Sequence, residues 1–323
     1  MTRPEWLEDH EVEAVAHEIA VSFPAAGPIA GSVLGGRFQS HTSAFYELAP
    51  SSGEEPIALL KVGEGWDAQE AQRIYEDLIT FGGVLDMNEA DLRVAPALGW
   101  HGEPPAICLK RIAGDDLGRL LRSSDAATAA EHVLIVRACG EALGLFHTEM
   151  PADSDGPGKT DARSAVVGMA RAIRVRPWFL DEIDLDDAMA RRYGDFAPYN
   201  IRVDGQGGGW IIDQPSAPVR EPVHRDVAWF LFNVERRLGW DVPTQPAQLD
   251  QARSALRASF LEGYRQSGPV PLDTPADRSL LALYRAHRSL WTARRRFRQG
   301  EFREVPAYLR LAMRWRAAAS RRG

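Results

Sequence analysis

The stretch YGDFAPYN, residues Tyr193–Asn200, followed by WIID at Trp210–Asp213, is more informative about the fold than any other part of this chain. Asp195 lies five residues before Asn200, and a second carboxylate, Asp213, follows thirteen residues after that amide. Residues 201–203 alternate apolar and polar side chains, residues 204–209 are glycine-rich, and residues 210–212 are apolar again. This pattern of strand, turn and strand predicts a β-hairpin. We therefore expect the hairpin to lie directly behind the loop and to deliver Asp213 to the same site.

These three side chains are of the types that phosphoryl transfer from a nucleotide requires. Mg²⁺ on the phosphates takes hard oxygen ligands, and Asn200 and Asp213 supply an amide oxygen and a carboxylate. A carboxylate must also orient the attacking hydroxyl and accept its proton, and Asp195 suits that role. The alternative is structural: a Gly-Asp turn, an Asn at a strand edge and an Asp at a strand end. The matched spacing, split by a recognisable hairpin, favours the catalytic interpretation.

A phosphate-binding lysine is expected on an apolar strand upstream of such a loop. The segment IALLKV, Ile57–Val62, has the pattern of a buried strand with Lys61 near its end, preceded by a strand pattern at 44–48 and a predicted glycine turn at Gly35 and Gly36. Only three of the 38 Lys and Arg residues are lysines, so a lysine here is unusual for this chain. A flexible ammonium reaches phosphate oxygens as a point charge, whereas a guanidinium imposes its fork geometry. The alternative is a surface lysine at a strand end.

An acid on the next helix is expected to pair with Lys61 and steer it. The segment Asp67–Leu78 carries apolar residues at helical spacing. Within and beside it, Glu70 is the first choice for the partner, ahead of Glu76 and Glu64. Each of these acids has the alternative of being a solvated helix residue.

Residues 30–235 resemble the aminoglycoside phosphotransferase family, the small-molecule branch of the protein-kinase-like fold. The family's catalytic loop is His-Gly-Asp followed after four residues by Asn, and Gly194, Asp195 and Asn200 occupy those places. The resemblance implies an α+β, two-lobed fold with a small N-terminal antiparallel β-sheet lobe and a larger, mostly helical C-terminal lobe. We expect a nucleotide-binding lobe with its hinge at 1–112 and a catalytic, acceptor-binding lobe at 113–323.

The resemblance also implies what these residues do. Asp195 would be the catalytic base, and Asn200 and Asp213 would bind Mg²⁺. The segment Ala106–Gly114 resembles the hinge between the lobes, whose backbone would hold the adenine edge of ATP or the base of GTP. The residues expected to bind the nucleotide are Gly35, Gly36, Lys61, Glu70, Lys110 and Ile112.

Three departures from the family pattern bear on activity. Tyr193 replaces the usual His before Gly-Asp, and a phenol cannot give the loop the same charged or tautomeric support. The run Asp213-Gln214-Pro215 replaces the commoner acid-aromatic-acid sequence, and no full Gly-x-Gly-x-x-Gly is present. These departures keep open the hypothesis of a nucleotide-binding protein that has lost catalysis.

Two further residues each have competing interpretations. Asp226 resembles the family residue that braces the catalytic loop, but an Asp at a helix start equally suits a helix cap. His147 ends an apolar helical stripe, and we predict that it is a buried structural partner and not a ligand.

Charge is unevenly spread in this chain of formal net charge −7. Thirteen arginines lie at or after Asp277, against three acids. We interpret this basic tail as a solvated helix face whose arginine stems cover the core. The alternative is a surface that docks an anionic substrate, a membrane or a nucleic acid. The acidic run at 181–187 would hold ammonium groups in an aminoglycoside kinase, but a solvated helix start is the simpler interpretation. The charge of the acceptor is therefore open.

Composition and the absence of certain motifs argue against several other classes of protein. A length of 323 residues with 45% hydrophobic content suits two lobes. Cys108 and Cys139 stand singly, so no zinc site is predicted, and no nucleophile elbow is present. The acidic N-terminus has no apolar core, and no apolar run approaches the ~20 residues of a membrane span. We expect a cytoplasmic protein without a nucleic-acid partner, and the sequence does not predict its oligomeric state.

The sequence thus favours a Mg²⁺-dependent kinase that uses ATP or GTP to phosphorylate a hydroxyl of a small molecule, such as an antibiotic, sugar, nucleoside or metabolite. The large helical C-terminal part, which carries Trp240, Trp291 and Trp315, is expected to build its acceptor cleft. The second hypothesis is a kinase acting on a protein or a lipid-linked polymer, although no Ala-Pro-Glu element follows Asp213. The third is the catalytically lost protein described above.

Overall fold

The computed structural model describes residues 7–39, 43–125, 127–152, 162–185, 188–215, 218–242 and 245–321. Asp186 and Asp187 of the acidic run lie outside these residues. The chain divides into two compact units. Unit 1 comprises Met1–Glu89, Arg93–Gly114 and Arg202–Gln214, and unit 2 comprises Ala90–Leu92, Asp115–Ile201 and Pro215–Gly323.

Short strands and longer helices make up the regular structure. The strands, in chain order, are β1 Val33–Gln39, β2 Ser43–Ala49, β3 Ala58–Gly63, β4 Leu92–Val94, β5 Ala97–Gly102, β6 Pro105–Lys110, β7 Asp115–Asp116, β8 Met189–Arg191, β9 Ile201–Val203, β10 Gly209–Ile211 and β11 Arg220–Pro222. The helices are α1 Asp9–Ser22, α2 Ala68–Met87, α3 Leu117–Ser123, α4 Val133–Glu149, α5 Ala162–Ala172, α6 His224–Arg237, α7 Pro246–Ser267, α8 Pro275–Arg298 and α9 Val305–Ala319. None of the helices in the described part of the chain is both long and apolar enough to cross a membrane.

Unit 1 is built on an antiparallel sheet in the order β1-β2-β3-β6-β5. Its core is apolar and includes Ile19 of α1, Leu60 of β3 and Cys108 of β6. The strands predicted around 44–48 and 57–62 are confirmed as β2 and β3. The predicted helix is α2, which begins after Asp67, whose carboxylate accepts the backbone N–H of Glu70 at 2.8 Å.

The predicted glycine turn at Gly35 and Gly36 is wrong, because both glycines lie inside β1. The β1–β2 ladder has a bulge between Leu34 and Gly36 and then continues to Gln39. A Cβ on Gly36 would lie 3.0 Å from the Glu47 carboxylate, so a glycine lets that side chain pack close to the strand. Close cross-strand packing therefore accounts for a glycine at this position without any turn.

The hairpin predicted behind the loop is confirmed as β9 and β10. The Asp204 carboxylate closes its turn by accepting the backbone N–H of Gly208 at 2.8 Å and the indole N–H of Trp210 at 2.9 Å. The hydrogen bond from Trp210 is the main reason why the pKa of Asp204 is lowered. Asp213 follows two residues after β10, at the end of the hairpin.

Unit 2 is mostly helical, and α4 and α7 pack together in its interior. Glycines permit a close approach of the two backbones: a Cβ on Gly140 would lie 2.0 Å from the carbonyl oxygen of Phe260, and one on Gly263 would lie 2.1 Å from that of Arg137. Elsewhere in the unit, α8 packs against α6 and α9. The short strands β8 and β11 pair antiparallel, and β8 directly precedes the loop that holds Asp195.

Arginines of the C-terminal tail occupy several environments in this unit. The solvated face predicted for the tail holds for Arg294 and Arg298, which are exposed. It is wrong for Arg285, which is 4% exposed and forms an ion pair with the buried Glu235 of α6 at 2.8 Å. The Arg285 guanidinium also stacks 3.6 Å from the ring of Trp315 on α9.

Candidate active site

The Asp195 carboxylate in unit 2 is held by three neighbouring side chains. The Tyr199 hydroxyl and the Trp229 indole N–H donate to Oδ1 at 2.5 and 2.9 Å. The Asn200 amide donates to Oδ2 at 3.3 Å and to the Asp195 backbone carbonyl at 2.9 Å. Donors of this kind stabilise a carboxylate and fix its orientation. Burial and the nearby Asp195 raise the pKa of Tyr199, which therefore remains a hydroxyl donor.

Asp226 braces the loop, as the resemblance implied. Its Oδ2 accepts the backbone N–H of Tyr193 at 2.6 Å, and its Oδ1 accepts that of Gly194 at 3.1 Å. Gly194 has a φ of +96°, a left-handed conformation that favours glycine. The structure thus shows the loop-bracing role of Asp226, which is 2% exposed.

His147 connects this brace to the helical core. Its Nε2 lies 3.3 Å from Asp226 Oδ2, and its Nδ1 lies 2.8 Å from the hydroxyl of Tyr264 on α7. Because a carboxylate accepts hydrogen bonds, Nε2–H donates to Asp226 and Nδ1 accepts from Tyr264. Burial raises the pKa of Tyr264 well above its ordinary value, which keeps that donor protonated. The structural role predicted for His147 is confirmed.

Tyr193, which stands where the family has His, is a core residue. Its ring is fully buried and meets the rings of Phe146 and Phe196 edge to face, with centroids 4.9 and 5.0 Å apart. Apolar packing of the phenol therefore supports the loop on this side, while the backbone N–H of the same residue donates to Asp226.

A cleft of about 460 Å³ within unit 2 contains Asp195 in its wall. Aromatic and charged residues from β11, α6 and α8 line the same cleft, among them Glu221, Trp229, His287, Arg288 and Trp291. Of the three tryptophans expected to build an acceptor cleft, Trp291 lines it. Trp315 is instead buried under Arg285, and Trp240 lines a separate, smaller pocket.

Sequence reasoning missed most residues of this cleft. Trp229 lies three residues after Asp226 on the same helix, so the two side chains are neighbours on one helix face. That spacing was a local sequence signal that could have placed Trp229 near the catalytic loop. Arg288 and His287 had no such signal beyond their place in an arginine-rich helix. Long-range packing of α8 against α6 brings them beside Asp195.

In unit 1, Lys61 is buried and meets the end of the β9–β10 hairpin. Its Nζ lies 2.7 Å from Asp213 Oδ1 and 2.5 Å from Gln214 Oε1. The ammonium also lies 5.3 Å from the ring centroid of Phe45 and 5.9 Å from that of Trp66. A lysine and a carboxylate widely separated in sequence are thus brought together in one place.

The expected ion pair between Lys61 and Glu70 does not form in this structure. Glu70 instead receives two hydrogen bonds from Arg73, at 2.8 and 2.7 Å. A guanidinium one turn along the same helix offers a bidentate fork, and Lys61 is already occupied by Asp213 and Gln214. Any part that Glu70 plays in nucleotide binding stays a prediction.

The predicted hinge begins as β6 and continues beyond it. Lys110 ends the strand with its side chain exposed, and Ile112 follows in the irregular segment that leads to Gly114. Gly114 has a φ of +122°, and a Cβ there would lie 2.1 Å from the carbonyl oxygen of Val203. Only glycine fits this approach between the segment and the β9–β10 hairpin.

The predicted metal ligands lie in different units, Asp213 in unit 1 and Asn200 in unit 2. Among the described residues, no cluster of three or more His, Cys, Asp or Glu side chains suits a metal ion. The ligand types fit Mg²⁺, because an amide oxygen and a carboxylate are among the hard oxygen ligands that this ion takes. An amide oxygen and a carboxylate suit a cation that is held partly by phosphate oxygens.

Known structures share this architecture at low sequence identity. An amicoumacin kinase in complex with AMP-PNP, Ca²⁺ and Ami is 11% identical with a TM-score of 0.53, and the match covers 90% of this chain and 88% of that one. A glucosamine kinase in complex with glucosamine, ADP and inorganic phosphate is 15% identical with a TM-score of 0.50, covering 98% of this chain and 82% of that one. This chain has the protein-kinase-like fold of small-molecule kinases.

The two-lobed α+β fold implied by the resemblance to aminoglycoside phosphotransferases is therefore confirmed. A scan against protein-family models finds no match. A search of curated protein sequences also finds none. At identities this low, structural similarity establishes the fold but not the reaction, which depends on the residues of the site in this chain.

Proposed function

We propose that this protein is a nucleotide-dependent phosphotransferase that phosphorylates a hydroxyl group of a small molecule, with Asp195 as its catalytic base. The observation that carries the proposal is the position of Asp195, whose oriented carboxylate lines a cleft of about 460 Å³. A cleft of this size lies in the ordinary range for small-molecule sites. The kinase fold of the chain supports the same reaction class.

The chemistry assigned to Asp195 is proton acceptance during in-line transfer. The acceptor oxygen forms a bond to the terminal phosphorus of the nucleotide as the bond from that phosphorus to the bridging oxygen breaks. The hydroxyl proton passes to the Asp195 carboxylate. Tyr199 and Trp229 donate to Oδ1 at 2.5 and 2.9 Å, whereas Oδ2 receives the longer hydrogen bond from Asn200 at 3.3 Å, so we assign the proton to Oδ2.

Residues of unit 1 are proposed to bind the nucleotide. Lys61 is buried beside aromatic rings, where an ammonium interacts more strongly with phosphate oxygens than it does in water. Asp213 and Asn200 are proposed to hold Mg²⁺, which neutralises phosphate charge when it is bound. The further residues proposed to contact ATP or GTP are Gly35, Gly36, Glu70, Lys110 and Ile112.

The cleft favours a small acceptor over a protein or polymer. Its walls include Trp229, Trp291 and Tyr284, which offer apolar surface for one compact ligand. The retention of Lys61, Asp195, Asn200 and Asp213 in one chain also supports a working enzyme over a catalytically lost one.

Thermal unfolding with ATP and with GTP, each with and without Mg²⁺, tests this proposal. We expect Mg²⁺-dependent stabilisation by at least one nucleotide in the wild type and in Asp195→Ala, with turnover abolished only in the variant. Asp213→Ala is expected to lose most of the Mg²⁺-dependent part of the stabilisation. The absence of stabilisation by any nucleotide would contradict the proposal, and so would an Asp195→Ala variant that keeps most of its activity.

A further inference from the structure

The cleft around Asp195 is lined by more basic than acidic side chains. Its acids are Asp195 and Glu221, and its basic residues are Arg220, Arg225, His287 and Arg288. Glu221 of β11 is neutralised by Arg192 at 3.1 Å and by an ion pair with Arg225, four residues later in the chain. Among the described residues of the cleft, no carboxylate other than Asp195 remains to bind a cationic acceptor.

Arg288 has an unusual environment within this cleft. Its guanidinium lies between two indoles, 3.8 Å from the ring centroid of Trp229 and 4.4 Å from that of Trp291. Its Nε is buried and without a hydrogen-bond partner, and Arg288 forms no ion pair with any described residue. A buried polar atom of this kind normally has a partner, and a charged group needs one more than a neutral group does.

The protonation of these groups supports an anion site. Burial lowers the pKa of Arg288 to about 10, so its guanidinium stays charged at neutral pH. Burial, followed by the charges of Arg288, Arg294 and Arg225, lowers the pKa of His287. At neutral pH the cleft therefore presents a permanent cation at Arg288 beside a neutral imidazole.

Trp229 connects this cation to the predicted base. Its indole N–H donates to Asp195 Oδ1, and its ring lies against the Arg288 guanidinium. One side chain thus contacts both the Arg288 guanidinium and the predicted base in the same wall of the cleft, and the Asp195 charge opposes the effect of burial on the pKa of Arg288. An acceptor that binds the cation has its remaining atoms close to Asp195.

We propose that the acceptor carries a carboxylate or phosphate group, which the Arg288 guanidinium binds while a hydroxyl of the same molecule faces Asp195. The proposal rests on the function proposed above, since it names the substrate class of that site. A guanidinium fork matches the paired oxygens of both anions. Arg220, which is exposed and bonds only to the Met189 carbonyl among the described residues, adds positive charge to the same cleft.

The acidic run near the loop does not reverse this charge. Asp181 pairs with Arg163 at 3.1 Å, and none of the described acids of that run lines the cleft. The sequence did not predict the charge of the acceptor. Arg288 and its surroundings favour a negatively charged acceptor.

Calorimetric titration of four matched sugars, without nucleotide, tests the proposal. Glucuronate and glucose 6-phosphate carry the two anionic groups, glucose is neutral, and glucosamine is cationic. We expect at least one anionic sugar to bind about tenfold or more tightly than glucose, as charge-assisted hydrogen bonds produce, and glucosamine to bind most weakly. The better of the two anionic sugars identifies carboxylate or phosphate as the group that is recognised.

The variant Arg288→Gln is expected to abolish this preference, whereas Arg288→Lys retains part of it because the charge remains. Arg298→Gln, which replaces an exposed arginine of the same helix outside the cleft, is the matched control and keeps the preference. Thermal unfolding of each variant shows whether it is folded. The proposal is overturned if neither anionic sugar binds better than glucose, or if Arg288→Gln and Arg298→Gln behave alike. Because nucleotide is absent, this failure is separate from a failure of phosphoryl transfer.

Discussion

Lys61 Nζ lies 2.7 Å from Asp213 Oδ1, although 152 residues separate the two in sequence. The Lys61 side chain is 6% exposed and that of Asp213 is 19% exposed, so the pair is largely shielded from water. Lys61 was predicted to bind the phosphates and Asp213 to bind Mg²⁺, and the structure places both at one point of unit 1. The ammonium thereby holds the carboxylate that is proposed to bind the metal.

Replacing Lys61 with Met removes this ammonium and leaves the Asp213 carboxylate without its cation. We expect nucleotide affinity to fall roughly 10-fold to 150-fold, the range of a lost charge-assisted hydrogen bond of about 1.5–3 kcal/mol. Titration calorimetry with Mg²⁺ and ATP or GTP measures the change. Unaltered affinity for both nucleotides would show that Lys61 is only a structural partner of Asp213.

Replacing Asp226 with Asn leaves one of the two loop N–H groups facing an amide donor. We expect a loss of about 1–3 kcal/mol of unfolding free energy, the cost of an unsatisfied buried donor, together with a lower kcat. The matched control is Asp67→Asn at the start of α2, because Asn caps a helix about as well as Asp does. Urea unfolding compares the two variants. Equal, near-zero effects would show that the two hydrogen bonds from the loop to Asp226 add nothing to stability.

Replacing Glu235 with Gln breaks the buried ion pair with Arg285 and leaves an uncompensated guanidinium in the core of unit 2. The expected cost is about 3–5 kcal/mol of unfolding free energy. The exposed pair between Arg122 and Asp241, at 2.8 Å, is the comparison, and Asp241→Asn is expected to cost less than about 1 kcal/mol. Similar costs for the two variants, measured by denaturant unfolding, would be inconsistent with this description of the Glu235 pair.

Replacing Gly140 with Ala forces a methyl group against the Phe260 carbonyl at the contact between α4 and α7. We expect a loss of about 1–3 kcal/mol from overpacking. Gly168 of α5, whose Cβ position is open, is the control, and Gly168→Ala is expected to stabilise by about 0.5–1 kcal/mol. Thermal unfolding of the two variants should therefore shift in opposite directions. A tolerated Gly140→Ala would show that the helices can move apart without cost.

Local sequence patterns were sufficient for the loop and the hairpin. The spacing from Asp195 to Asp213 reflects a turn and two short strands that form within one segment, so the chain order itself carries the information. The same is true of β3 with Lys61 and of α2 after its Asp67 cap. In these cases the pattern and the tertiary structure agree.

Contacts between distant segments could not be predicted in the same way. Glu70 binds Arg73 of its own helix, while Lys61 binds Asp213 from a distant segment. The sequence offered no way to choose between these partners. The cleft depended on α6 and α8 packing together, which brings Trp229 and Arg288 into one wall. The glycines of β1 were misassigned because a bulge with close cross-strand packing and a turn both favour glycine.

Mass spectrometry of acceptor panels incubated with Mg²⁺ and ATP or GTP tests the central claim most directly, using the wild type and Asp195→Asn in parallel. We predict that at least one hydroxylated acceptor gains a single phosphoryl group with the wild type. With the variant, whose carboxylate can no longer take the proton, the initial rate should fall by on the order of 10²–10⁴. Equal rates of phosphorylation by the two proteins would contradict the assignment of Asp195 as the catalytic base.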